Sequence, residues 1–428
     1  KGQRAIKLRA AQIAFFILLT AGSVVFAWQV QRLRRGLAMG RPSERNDQPL
    51  RRWKTMARVA LGQGKMGSRP VAALLHVVVY VGFVLINIEV LEILVDGAIG
   101  SHRFFAPYLG GAYVGIIGFF ELLGVAVIIA CLAFLFRRHV MRIPRFRHAD
   151  MKGWPSKDAD IILYIEIMLM SALLLMNTAE AAMDSEAPVV VGHWLAPLLS
   201  GMDENSLHWI ERIAWWFHFA GILAFLNYLP RSKHFHIILA FPNTWYSKLS
   251  ARGRIPAMPS VTGEIKSMMD PSYVPDETAV PDRFGAKDVS DLSFANLLNA
   301  FTCTECGRCT SACPAIITGK SLSPRQIMMA TRDRVEESLD KGESAKDNHL
   351  LDNFISRESL WACTSCNACV EVCPLNIDPL DIILQMRQYL TMEESAAPAP
   401  LNSMMSNIEN NGAPWAYPQA DRAAWINE

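Results

Sequence analysis

Two cysteine runs carry the chemistry: Cys303, Cys306, Cys309 and Cys313 followed by Pro314, and Cys363, Cys366, Cys369 and Cys373 followed by Pro374. Each reads C-x2-C-x2-C-x3-C-P, a spacing in which three thiolates converge on one [4Fe–4S] cube while the fourth reaches a neighbouring cube. Eight of the nine cysteines are accounted for in this way. A cube passes one electron at a time, so the spacing points to an electron carrier. No residue stands out as a catalyst of bond chemistry on a carbon substrate.

Three histidines form the second group. His76 opens one apolar stretch, whereas His218 and His236 lie eighteen positions apart in and beyond another. If one helix carried both, that spacing would be five turns, setting them on one face about 27 Å apart. Histidine is rare inside a bilayer and usually faces the bundle interior for a functional reason. Opposed imidazoles from two helices can hold a b-type haem iron between them, and His76 and His236, predicted at one depth, are the natural pair. The rival reading makes both polar anchors in the headgroup layer. His218 has three readings: ligand of a second haem, partner of a quinone oxygen, or partner of a buried carboxylate. Glu89, Glu92, Glu121, Glu166 and Glu180 also fall in or beside apolar stretches. A proton relay beside a quinone, structural pairing with arginine and simple interfacial exposure are the alternatives there.

The elements that must position these groups follow from hydropathy. The chain has 428 residues, 51% of them apolar, with the excess in the first 240. Five runs, roughly 10–30, 71–95, 111–136, 160–183 and 210–230, are long enough to cross a hydrocarbon core of about 30 Å. The first does not read as a cleaved signal peptide, being long, without a small-residue cleavage pattern and followed by four more spans. A formal net charge of +2 hides an asymmetry. Arg32, Arg34, Arg35, Arg41, Arg45, Arg51, Arg52, Lys54 and Arg58 follow span one, and Arg137, Arg138, Arg142, Arg145 and Arg147 follow span three, whereas 184–208 has acidic residues and no Lys or Arg. The positive-inside rule then predicts a multi-pass protein of the inner (cytoplasmic) membrane, N-terminus outside, with the cysteines in the reducing compartment, where metal ligation prevails over disulfides. Topology accounts for the basic loops, so no nucleic-acid partner is called for; contact with anionic lipid is expected.

The expected order is a membrane domain over 1–245, a Pro-rich linker over 246–290 (with Pro256, Pro259, Pro271, Pro275 and Pro281), a cysteine-bearing unit over 291–392 and an irregular arm over 393–428. Helices are predicted at 326–340, started by Ser323-Pro324, and between Leu350 and Leu360. Cys313 and Cys363 stand fifty positions apart, too far for a short symmetric hairpin fold. The predicted fold class is mainly α: a five-helix transmembrane haem-binding bundle followed by an all-α dicluster ferredoxin domain.

The membrane half resembles the cytochrome b subunit of respiratory nitrate reductase and its relatives in membrane-bound heterodisulfide reductase and sulfite-reduction complexes. Leu74-Leu75-His76 at the start of span two and His218 through Pro230-Arg231-Ser232-Lys233-His234-Phe235-His236 carry the likeness. The resemblance implies two stacked haems whose span-five ligands pair with residues ten apart on span two. His76 and His236 match the inner pair. His218 matches the outer ligand, but Ile86 stands in its partner's place, leaving one haem b implied and a second open.

The soluble half resembles the two-cluster subunit of the heterodisulfide-reductase type, on Cys303-Thr304-Glu305-Cys306-Gly307-Arg308-Cys309, Ser323-Pro324-Arg325 and Leu360-Trp361-Ala362-Cys363-Thr364-Ser365-Cys366. That resemblance implies one cube on Cys303, Cys306, Cys309 and Cys373 and the other on Cys363, Cys366, Cys369 and Cys313. It also implies a separate cytoplasmic subunit, such as a CCG-domain protein or a flavoprotein. The function expected is the electron-transfer subunit of a quinone-linked oxidoreductase complex, relaying electrons between that partner, two cubes, haem b and menaquinone or ubiquinone. The alternative is a membrane anchor and iron–sulfur wiring scaffold of a larger respiratory complex, without a quinone site of its own.

Overall fold

A computed structural model describes residues 2–274 and 283–427. Pro275 and Pro281 of the expected linker lie outside the described residues. The chain divides into two units, one of Lys1–Arg35, Met56–Phe241 and Thr304–Cys306, the other of Gly36–Thr55, Pro242–Cys303 and Gly307–Glu428.

The first unit is built on five long helices: α1 (Gly2–Leu37), α2 (Pro70–Ile99), α3 (Gly111–His139), α4 (Trp154–Met183) and α5 (Glu204–Tyr228). Each contains a stretch long and apolar enough to cross a membrane. Proline in the first turn starts α2 and α4, where the missing N–H removes no helical bond. Ile13, Ile17 and Val24 of α1, Leu74 of α2 and Ile129 of α3 point outward and exposed. So much apolar surface suits lipid rather than water. Inside, small residues let helices approach: a Cβ on Gly82 of α2 would lie 2.4 Å from Val127 of α3, and one on Gly221 of α5 2.6 Å from Leu169 of α4. Phe15 of α1 stacks on Phe219 of α5 with ring centroids 4.5 Å apart.

Three of the span carboxylates are structural. Glu180 accepts from Nε and Nη2 of Arg103 at 2.8 and 2.6 Å, while Nη1 of the same guanidinium donates to Tyr113 Oη, which donates onward to Glu92 at 2.5 Å. Glu121 accepts from the backbone N–H groups of Val190, Val191 and Gly192 and from Asn177 Nδ2. Arg103 is 9% exposed, so Arg103→Met will strand a buried carboxylate at a cost of about 3–5 kcal/mol. Thermal unfolding in detergent should show the loss, and adding Glu180→Leu should recover most of it.

The helix carrying His218 does not continue to His236. Pro230, lacking an N–H, falls in a 3₁₀ turn, Leu229–Arg231; a second turn, Lys233–Phe235, leads into α6 (His236–Trp245). The expected common face is therefore absent. Asp158 of α4 pins the break, accepting from Tyr228 Oη, from Ser232 Oγ at 2.7 Å and from the Lys233 N–H at 3.2 Å. Pro242 lies inside α6.

The second unit contains α7 (Pro259–Met269), α8 (Phe294–Thr302), α9 (Pro324–Lys341), α10 (Pro379–Met392) and α11 (Ala399–Asn411). Ser323 caps α9 as the sequence suggests, and Ser293 and Asp378 cap α8 and α10. Helix α9 packs against both α8 and α10, with Leu297, Leu298, Met328, Val335, Ile382 and Met386 fully buried. The helix expected between Leu350 and Leu360 is instead a turn with Asp352 at φ +70°, followed by a single helical turn, Arg357–Trp361. The arm expected to be irregular contains α11, and the expected linker contains α7.

Candidate metal centres

The two cysteine motifs wind alike. In the first, Glu305 and Gly307 take left-handed backbone at φ +55° and +70°; in the second, Ser365 and Asn367 do so at +56° and +61°. Only glycine takes this conformation without penalty, so its recurrence at matching offsets marks a loop shape repeated around each set of thiols. Backbone N–H groups of Ser365 and Ile377 donate to Sγ of Cys363 and Cys373, each at 3.4 Å, the kind of bond that tunes a cube's potential. The turns that bear the third cysteines, Arg308–Ala312 and Ala368–Glu371, pack on one another.

That packing brings the end of the first motif to the second. Burial raises the Cys363 thiol, with Cys313 and Cys366 among the groups adding to it. Burial likewise pushes the Cys369 thiol up to about 12, with Asp378, Cys363 and Cys313 adding to it. All nine cysteines are free of disulfides. Among the described residues no three His, Cys, Asp or Glu side chains are spaced for a single ion; four sulfurs around a cube must stand farther apart than four ligands of one atom. Arg387 braces the second motif, donating to the carbonyls of Leu360 and Cys363 at 2.6 and 2.5 Å and lying over the Trp361 ring.

In the first unit, the rings of His76 and His236 have centroids 6.3 Å apart, inclined at 45°. Two metal–nitrogen bonds of about 2 Å each plus the two ring radii amount to a separation of this size. Nδ1 of His76 donates to Gln63 Oε1 at 3.1 Å and Nδ1 of His236 to the Lys233 carbonyl at 3.0 Å. Anchoring one ring nitrogen fixes the tautomer and assigns the other, Nε2, to ligation. Burial holds His236 down to about 3 and the adjacent His234 to about 4, so both rings are neutral, as ligation requires. The residues present thus fit a bis-histidine iron site. Gln63 escaped sequence reasoning, because nothing in a loop thirteen residues before His76 marks it as the residue that orients the ring. His234 was passed over too: its ring lies 5.6 Å from that of His236, and its Nε2 is buried without a hydrogen-bond partner among the described residues.

His218 stands apart from this pair, in a cavity lined by Gly82, Phe83, Ile86, Glu166, Met170 and Phe225, among others. Its Nδ1 donates to the Leu169 carbonyl at 2.9 Å, which leaves Nε2 as an acceptor. Glu166 also faces this space, and its Oε1 is buried with no hydrogen-bond partner among the described residues. His218 is the one histidine among the described lining residues, and Ile86 occupies the opposing helix. A second bis-histidine haem does not fit this donor set.

Comparison with known proteins bears on the cysteines most directly. Residues 299–377 match the 4Fe-4S dicluster domain family. The chain is 25% identical, over 98% of its length, to a probable iron-sulfur-binding oxidoreductase FadF of Bacillus subtilis, and 26% identical, over 90%, to an EtfAB:quinone oxidoreductase of Syntrophomonas wolfei. It spans 61% and 55% of those two relatives. A third, a probable membrane-anchored ferredoxin of Chromohalobacter salexigens, is 30% identical over 33% of this chain and 24% of its own. Shorter stretches match heterodisulfide reductase subunits. No solved structure matches. Iron–sulfur electron transfer within a redox complex is the activity these likenesses support.

Proposed function

We propose that this chain relays single electrons between a cytoplasmic redox partner and a membrane quinone, menaquinone or ubiquinone, through two [4Fe–4S] cubes and one b-type haem. The observation that carries this reading is the buried His76–His236 pair with both Nδ1 atoms anchored. Nε2 of each ring would hold the haem iron. Cys303, Cys306, Cys309 and Cys373 would hold one cube, and Cys363, Cys366, Cys369 and Cys313 the other. When bound, these groups accept and release one electron each.

The chain's own residues do the rest. In the cavity, Nε2 of His218 accepts a hydrogen bond from a quinol hydroxyl, and the unpartnered oxygen of Glu166 takes up the proton that leaves with the first electron and must pass it to solvent before the second can follow. The name of the Syntrophomonas wolfei relative supports a quinone at this end. The relatives' assignment to reductase complexes supports a separate subunit, a CCG-domain protein or a flavoprotein, at the other. By the positive-inside rule, the basic loops support a cytoplasmic location for that end and for both cubes.

Quinol oxidation tests the reading. A short-chain quinol added to detergent-solubilised protein should reduce the b-type absorbance. Glu166→Gln and His218→Phe should each slow that reduction at least about tenfold while haem content stays at the wild-type level. Full-speed reduction in both variants would remove the cavity from the pathway, and a chain without haem would leave the anchor and wiring scaffold as its role.

A further inference from the structure

Glu305 holds the position in the first cysteine motif that Ser365 holds in the second, on the same left-handed backbone. The two side chains are put to different use. Ser365 Oγ accepts a hydrogen bond from Arg387 Nη1 at 3.3 Å. Glu305 is 3% exposed and accepts a hydrogen bond from the ammonium of Lys233, itself 9% exposed. That ammonium also donates to the Pro155 carbonyl at 2.5 Å and lies 3.8 Å from Asp158 Oδ2. Meanwhile the carbonyl of the same lysine receives Nδ1 of His236. One residue therefore touches, with its head, the side-chain carboxylate of the residue before Cys306 and, with its backbone, the ring assigned to iron.

An ion pair this buried is a poor source of stability, because desolvation offsets most of the attraction. A single cation between two carboxylates, fixed within reach of two redox groups, instead sets the local field those groups feel. We propose that Lys233 and Glu305 are positioning residues that couple the cube held through Cys306 to the iron held by His236, fixing the loop and setting the potentials on both sides. One centre loses an electron as the other gains it, and no bond is made or broken. This inference rests on the metal sites proposed above.

The experiment uses the full chain in detergent as wild type, Glu305→Gln, Lys233→Met and Lys233→Arg. Iron, acid-labile sulfide and haem are assayed first; redox titrations then follow the cubes by electron paramagnetic resonance and the haem optically. Glu305→Gln leaves the cation opposed by Asp158 alone and should raise the midpoint potential of the cube on the first motif, whereas Lys233→Met should lower it. Lys233→Met should also slow electron exchange between cube and haem about tenfold, and Lys233→Arg should restore both readouts. Opposite signs separate electrostatic coupling from damaged folding, which would move both variants the same way. Glu305→Gln is nearly isosteric and still accepts from Lys233, so its result stands even where Lys233→Met fails to assemble. Loaded variants with unmoved potentials, or shifts of one sign, overturn the coupling. A wild type lacking haem or one cube overturns the parent reading and this inference with it.

Discussion

Cys313→Ala will empty the cube of the second cysteine motif, although Cys313 belongs to the first. Iron and acid-labile sulfide should fall from about eight each per chain to about four. The expectation rests on where the fold takes the end of motif one. The turn Arg308–Ala312 packs on Ala368–Glu371, and Cys313 lies close enough to Cys363 and Cys369 to raise both thiols. The reduced-state resonance lost in Cys313→Ala should therefore be the one lost in Cys363→Ala, and Cys373→Ala should lose the one that disappears with Cys303→Ala. Pairing of Cys313→Ala with Cys303→Ala would mean that each motif holds its own cube. The core of α8, α9 and α10 contains none of these cysteines, so the unit keeps a framework on which the other cube can be counted.

The second large effect belongs to His236. His236→Ala should abolish the b-type α-band of purified protein, and His76→Ala should do the same, because either change removes one of two axial nitrogens. His218→Phe should leave the band at full intensity. A graded result is expected from Gln63→Leu: the imidazole of His76 stays but its Nδ1 loses the oxygen that orients it, so haem retention should drop about 10–100-fold. Full haem content in His236→Ala would remove this pair as the ligand set, and the neighbouring His234 would then be the first residue to try.

Much of this architecture was legible in residue order, for physical reasons that differ from part to part. The spans were legible because about twenty apolar residues in a row have few other uses. Their ends were not: α4 begins at Trp154, six residues before the apolar run, because Ser156, Lys157 and Asp158 are polar yet helical. The cysteine spacing specified the dicluster domain outright. The Leu350–Leu360 helix was misread because an apolar run reads the same whether a left-handed Asp352 breaks it or not. The eighteen-residue spacing of His218 and His236 suggested a shared face only while Pro230 was assumed to be tolerated. For the carboxylates, hydropathy shows that a charge sits in a span but not what meets it. Arg103 and the N–H groups of Val190, Val191 and Gly192 come from loops whose course no periodicity reports, so Glu166 could not be told from Glu121.

Glu121 also bears on how the chain enters its membrane. All four of its donors, Asn177 and the N–H groups of 190–192, arrive later in synthesis than α3 itself. Until α4 and the segment after it are made, α3 presents a carboxylate with none of these donors, and a charged side chain at the centre of a span costs about 2.5–3.5 kcal/mol. Helices α3 and α4 are thus expected to leave the insertion machinery together, with the segment after α4 supplying the N–H dipoles that meet the charge.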